Sequence, residues 1–116
     1  MIIAKFYQKP RDGSIHMTLR GHAGAAPKGK DLICASATMT VYTLAQAVQF
    51  MFEQGMLKKK PKISIKEGKA AVIAVPQDEC LAEVLHTFWV AQCGMHVLAR
   101  NYPQYVKLEH LKNVKA

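Results

Sequence analysis

Residues 2–20 read IIAKFYQKPRDGSIHMTLR, and the order of side chains in this stretch predicts two strands folded back on each other. Ile2, Ala4 and Phe6 alternate with Ile3, Lys5 and Tyr7; beyond Arg11-Asp12-Gly13-Ser14, Ile15, Met17 and Leu19 alternate with His16, Thr18 and Arg20. A period of two sends successive side chains to opposite faces of a sheet, and Asp-Gly between the runs supplies the turn. A second hairpin follows the same logic. Ile63 and Ile65 alternate with Lys62, Ser64 and Lys66, a turn is expected at Glu67-Gly68-Lys69, and Ala71, Ile73 and Val75 form the return strand, closed by Pro76.

Between the hairpins the period changes. Val41, Leu44, Ala45, Val48, Met51 and Phe52 follow helical spacing over a segment from Leu32 to Gln54, with Asp31 suited to the N-cap and Gly55 to the C-terminal cap. The cluster Thr38, Thr40, Val41 and Thr43 opposes this, since β-branched residues lose rotamer freedom in helices. Only Glu53 is charged along the segment, so this helix is expected to be covered on most sides by sheet, helix or a second subunit. A second helix is expected after an N-cap at Asp78, its core stripe running through Leu81, Val84, Leu85, Phe88, Ala91, Gln92, Met95, Leu98 and Tyr102 to Pro103. Tyr105-Val106-Lys107-Leu108 reads as a short closing strand. The order ββαββα predicts an α+β fold in two layers, a mainly antiparallel sheet with two helices packed over it. With 116 residues, half of them hydrophobic, residues 1–116 are expected to form one domain.

Composition narrows the setting. There is no apolar run long enough to span a bilayer, and Met1-Ile2-Ile3-Ala4 leads directly into Lys5 and a strand instead of a signal sequence. The three cysteines, Cys34, Cys80 and Cys93, are odd in number and sit in apolar or helical surroundings, which favours a reduced, cytoplasmic compartment. The formal net charge is +8, with Lys58-Lys59-Lys60-Pro61-Lys62 the densest run and Lys107, Lys112 and Lys115 near the end. Such a surface suits phosphate-bearing partners such as RNA or a ribosome, although a lysine run between a helix and a strand is more often a solvated connection.

The chemistry-bearing stretch runs from Gly21-His22-Ala23, through a loop with Gly24, Pro27 and Gly29, to Asp31-Leu32-Ile33-Cys34. It places an imidazole and a thiol at the two ends of one loop, twelve residues apart. A thiol attacks only as thiolate, and an imidazolium and a helix N-terminus both favour that form. Asp31 as N-cap puts Cys34 at N3, inside the first turn. Asp31 either caps the helix or orients His22. Gly21, Gly24 and Gly29 are expected to permit backbone shapes and loop motion. The N–H groups around Cys34 and Ala35 are the local supply of donors for an oxyanion. By contrast, Cys80 and Cys93 lie on the second helix without a His partner, and His16, His86, His96 and His110 have no carboxylate at an obvious spacing. No Cys-x-x-Cys pair exists, so neither a metal site nor a redox dithiol is expected, and no cofactor is required. A His and a Cys at this spacing are a weak signal by themselves, since a packed free Cys in a helix is the common case.

At these residues the sequence resembles a known family, the ribosomal-processing cysteine protease Prp. The likeness rests on Gly21-His22-Ala23, Gly29, Asp31 and Cys34-Ala35 in fixed register, with Tyr102-Pro103-Gln104-Tyr105-Val106 in support, and it extends over the whole chain. The resemblance implies His22 as base and Cys34 as nucleophile in a cytosolic homodimer. Its implied substrate is a large-subunit ribosomal protein carrying a short N-terminal extension. Thr38 stands where the family usually has Ser, which keeps the hydroxyl one turn beyond the nucleophile. Family members are acidic or near neutral, whereas this chain is strongly basic. A different extension, or a substrate already bound to ribosomal RNA, would accommodate that difference. Two other readings compete: a basic, non-enzymatic ribosome- or RNA-associated protein in which Cys34 is merely packed, and a thiol hydrolase acting on a small acyl compound.

Overall fold

In the computed structural model, which describes residues 1–27 and 31–111, the elements follow the expected order. They are β1 (Ile2–Gln8), β2 (Ile15–Arg20), α1 (Leu32–Glu53), β3 (Lys62–Lys66), β4 (Lys69–Ala74), a 3₁₀ turn (Asp78–Cys80), α2 (Leu81–Asn101) and β5 (Val106–Glu109). Gly29, Lys112 and Lys115 lie outside the described residues. The five strands form one sheet in the order β3-β4-β2-β1-β5. All neighbours are antiparallel except β1 and β5. Both helices cover the same face, so the fold is the two-layer α+β arrangement expected from the pattern. Ile2, Ile15, Met17, Leu44, Phe88 and Met95 are among the largest fully buried side chains where sheet and helices meet.

The element ends have local causes. Three of the β-branched residues that oppose a helix in α1 are satisfied within it, because the hydroxyls of Thr38, Thr40 and Thr43 donate to the carbonyls of Cys34, Ser36 and Met39 at 2.8, 3.0 and 2.8 Å. Gly55, at φ +77, follows the C-cap residue Gln54 and lets the chain leave the helix. At the start of α2 the expected cap is replaced. Asp78 opens a 3₁₀ turn and its carboxylate meets Lys58 Nζ at 3.0 Å instead of holding a helix N–H. The tail is held by the core: Leu111 N donates to the buried Gln92 Oε1 at 2.6 Å, and Ile2 N to the Tyr105 carbonyl at 2.8 Å.

One expectation about facing is corrected. In β4 the buried positions are Ala70, Val72 and Ala74, while Ala71 and Ile73 point to the open side of the sheet. Residues 70–74 are all apolar, so alternation could not select between the faces. In the single chain, sheet and α2 leave Leu32, Met39, Tyr42 and Phe50 of α1 at 79, 64, 52 and 54 % exposure, on sides that the sequence reading left to a sheet, a helix or a second subunit. His16 lies on the open side, as its alternation predicts, yet is only 5 % exposed.

The burial of His16 comes from the hairpin. Tyr7, its cross-strand partner, stacks on the imidazole with centroids 4.6 Å apart, and Ser14 Oγ lies 2.7 Å from Nε2. Asp12 Oδ1 accepts from Ser14 N at 2.9 Å and from Ser14 Oγ at 2.6 Å. The serine proton is thereby committed to the carboxylate, so the hydroxyl can only accept from His16, and Nε2 carries the hydrogen. Burial and then the Lys9 charge push His16 below its ordinary 6.5, with Asp12 opposing. The unfolded chain therefore takes up this proton first. The contribution of His16 is complete above pH 6.5 and is lost as pH falls from 6.5 to the folded value. Urea midpoints measured from pH 7.5 to 5 should accordingly fall more steeply for the native chain than for His16→Gln; parallel slopes would contradict this.

Candidate functional site

Gly21 ends β2 with φ +91, and a Cβ there would collide with the Met1 carbonyl oxygen. Only glycine fits, and the turn it makes delivers His22 to the sheet's edge just above the β3–β4 hairpin. Gly21 N donates to the Gly68 carbonyl at 2.9 Å, which ties the two turns together. Gly68 has φ +73, and a Cβ on it would stand 2.8 Å from His22 Nε2. The imidazole therefore rests directly on the backbone of the β3–β4 turn.

Across the cleft, Asp31 makes the N-cap of α1. Its Oδ1 accepts from Cys34 N at 3.0 Å and its Oδ2 from Ala25 N at 3.2 Å, so one carboxylate holds both the helix start and the loop leading to it. Donation from Cys34 N, ahead of that from Ala25 N, keeps the Asp31 carboxyl below the usual carboxylate range. Of the two roles left open from sequence, the hydrogen bonds show capping; among the described residues no bond joins Asp31 to His22. Cys34 sits at N3, half-buried. Ala23 N, buried beside it, donates to Cys34 Sγ at 3.2 Å. A backbone N–H aimed at sulfur and the start of α1 thus meet at that atom.

The expected oxyanion donors are not free. Cys34 N is held by Asp31 Oδ1, and Ala35 N donates to the Asp31 carbonyl at 3.0 Å as an ordinary helical bond. Asp31 capping brings the first turn into full register, and that consumes both groups. Thr38 lies one turn beyond Cys34 and commits its hydroxyl proton to the Cys34 carbonyl. Gly24, at φ +68, has open space around it.

His22, Cys34, Asp31, Ala35, Thr38, Gly21 and Gly24 all line one open cleft of about 900 Å³. Its other wall is the β3–β4 turn, and its apolar lining includes Leu19, Met39, Tyr42 and Ile65. Among the described residues no hydrogen bond joins the imidazole to the thiol in this conformation. The remaining thiols differ. Burial, followed by Glu83 and Glu79, pushes Cys80 above its ordinary value, which disfavours a thiolate there. Cys93 is half-buried on α2. Among the described residues no group of three or more His, Cys, Asp or Glu side chains is placed to hold a metal ion. Two contributors were missed from sequence: Gly68, read only as a turn residue, and the Ala23 N–H, which no side-chain pattern could signal.

Residues 1–107 match the family model for cysteine protease Prp. The chain belongs to that family. Its activity class is that of a cysteine protease, which removes the non-enzymatic alternative as a complete account of the protein. The fold agrees with solved structures. An essential ribosomal processing protease Prp from S. aureus, in complex with a covalently linked product peptide, superposes with a TM-score of 0.72 at 19 % identity, covering 97 % of this chain and 100 % of that one. A Streptococcus mutans protein superposes at 0.66 with 23 % identity, covering 96 % and 93 %. No curated protein matches the sequence significantly.

The contact between Gly68 and His22 generates a paired test. Gly68→Ala should force the imidazole aside and lower the rate of peptide cleavage by about a hundredfold, the usual scale for a misplacement near 1 Å. Gly55→Ala meets the same positive-φ strain, at +77, with nothing within 4 Å, and should lose stability without losing rate. Equal rates in the two variants, measured on folded protein, would show that the turn does not seat His22.

Proposed function

We propose that the whole chain acts as one cysteine endopeptidase domain that removes a short N-terminal extension from a large-subunit ribosomal protein, with Cys34 as nucleophile and His22 as base. The observation that carries this reading is the meeting of both groups in one cleft, where the Ala23 N–H points at the Cys34 sulfur. The S. aureus relative described as a ribosomal processing protease supports the choice of substrate. The free cysteines support a reducing, cytoplasmic setting. Among the described residues no helix is long and apolar enough to cross a membrane.

In the proposed reaction His22 takes the Cys34 proton and the sulfur attacks the scissile carbonyl carbon. The C–N bond of the tetrahedral adduct then breaks, and His22 returns the proton to the leaving amine. Water, deprotonated by His22, attacks the thioester, and the thiol leaves with its proton restored. Because the imidazole and thiol are not hydrogen-bonded here, substrate must draw them together, as catalytic contacts commonly tighten only in the complex. The Ala23 N–H holds the thiolate before attack. Gly21 and Gly24 are proposed hinges of the loop, Gly29 lies outside the described residues, and Thr38 fixes the backbone beside the nucleophile. Apolar lining from Met39, Tyr42 and Ile65 suits a substrate segment with large hydrophobic side chains. The positive charge of the chain would let the enzyme meet its substrate on ribosomal RNA.

A homodimer through α1 belongs to the same proposal. Leu32, Met39 and Phe50 share one helical face, Tyr42 flanks it, and no charged side chain interrupts the stripe from Leu32 to Phe52. Met39 and Tyr42 also line the cleft, so a second copy on this face would extend the cleft wall.

Two measurements test these assignments. Incubating the chain with the extended ribosomal protein from the same genome, and weighing the products, should show loss of the extension; Cys34→Ala should abolish cleavage while Cys80→Ala and Cys93→Ala retain it. A reversal of that pattern would remove Cys34 from the mechanism. Sedimentation at micromolar concentration should give a dimer that Phe50→Glu dissociates, whereas a monomeric native chain would end the dimer proposal.

A further inference from the structure

The face of the sheet opposite the helices carries most of its charge in one row. Strand registers pair Lys66 with Lys69, Lys69 with Arg20, Arg20 with Ile3, and Ile3 with Lys107. Four of these five positions are cations, all exposed, and they cross every strand of the sheet. Strands lie about 4.8 Å apart, so the row extends about 19 Å. Two further cations lie on the same face, Lys5 in the next row and Lys62 in the row beyond it. The one carboxylate on the face, Glu109, is 3.4 Å from Lys5 Nζ. Among the described residues no carboxylate forms an ion pair with the other five. Glu67, in the adjoining β3–β4 turn, has an interaction of its own.

Like charges in register across adjacent strands repel each other, and a sheet keeps such a row only against that cost. A polyanion lying across the strands reverses its sign, because each phosphate displaces a counterion and meets a cation. The face also offers an aromatic surface: Tyr7 is stacked on His16 through one side of its ring and is 37 % exposed. On this face Tyr7 stands four residues along β1 from the row, with Lys5 between them; cations in line and a fixed ring beside the line suit an unpaired strand, with phosphates on the cations and a base over the ring.

We propose that the uncovered face of the sheet binds single-stranded RNA, with Arg20, Lys66, Lys69 and Lys107 holding the phosphate backbone. The choice of RNA over another polyanion rests on the proposed ribosomal substrate. The row ends at the β3–β4 turn that walls the cleft, so RNA bound there would bring an attached ribosomal protein to the side where Cys34 opens. None of the four cations of the row belongs to the Lys58-Lys59-Lys60-Pro61-Lys62 run that dominates the sequence.

The test compares two charge-matched variants of the full chain. Binding of a fluorescein-labelled single-stranded RNA of roughly twenty nucleotides is measured by anisotropy between about 50 and 200 mM salt. Arg20→Gln with Lys107→Gln should make the slope of log affinity against log salt shallower by about 1.4, two phosphate contacts at about 0.7 each, and Lys59→Gln with Lys60→Gln should leave it unchanged. Equal losses in the two variants would reduce the effect to net charge and overturn the surface. Absent salt-dependent binding by the native chain, or tighter binding of polyglutamate than of RNA, would overturn it as well. Cleavage of the RNA-free extended protein is followed in parallel: its absence would overturn the proposed substrate while leaving the RNA measurement to stand on its own.

Discussion

The Asp31 carboxylate is the joint on which the site depends. One oxygen holds Cys34 N in the first turn of α1, and the other holds Ala25 N in the loop that descends from the sheet. The two bonds place the end of β2 and the start of α1 in one frame, so that Ala23 N reaches the Cys34 sulfur. The same contacts hold the Asp31 carboxyl below its ordinary 3.8, which keeps it ionised, and so competent to cap, throughout the neutral range. Its contribution to the folded state is complete above the unfolded value and fades as pH falls through the folded one.

Around this joint the molecule separates its tasks by face. The helix-covered side of the sheet is a continuous apolar core, closed by α1 and α2 and anchored at the tail by Gln92. The site sits at one end of that core, where β2, the β3–β4 turn and the start of α1 converge. Cys34, the proposed nucleophile, is rigid at the helix start, because the N-cap and the helical ladder both hold its backbone. The proposed base is carried differently. His22 follows a glycine turn and rests on Gly68, a seat that fixes its height without bonding its ring nitrogens among the described residues. Rigid sulfur and movable imidazole fit an enzyme that completes its geometry when a peptide fills the cleft.

The fold and much of the site are legible in the sequence. Alternation in β1, β2 and β3, and the helical spacing of Val41, Leu44 and Val48, survive folding because each residue's face is set by its own element. Cys34 at N3 and Asp31 at the cap were readable for the same reason: both are consequences of a helix boundary, which is local chemistry. Where every residue was apolar, as in residues 70–74, the pattern carried no facing information and the reading was reversed. Asp78 failed as a cap because a nearer partner, Lys58, was available across the chain, and no local rule weighs that competition.

Sequence by itself therefore determined the order of strands and helices, the two-layer class, the placement of thiol and imidazole at the ends of one loop, and the family. Tertiary structure alone decided what lies opposite what. It set β1 at the side of β5, brought Gly68 under His22 from 46 residues away, spent the Cys34 and Ala35 N–H groups inside the helix, and aligned Lys66, Lys69, Arg20 and Lys107 across five strands. The division has one physical reason. Backbone periodicity and capping act over a few residues and leave their mark in sequence, whereas register between strands and contact between turns arise only when the core closes and chooses one packing among many compatible with the same pattern.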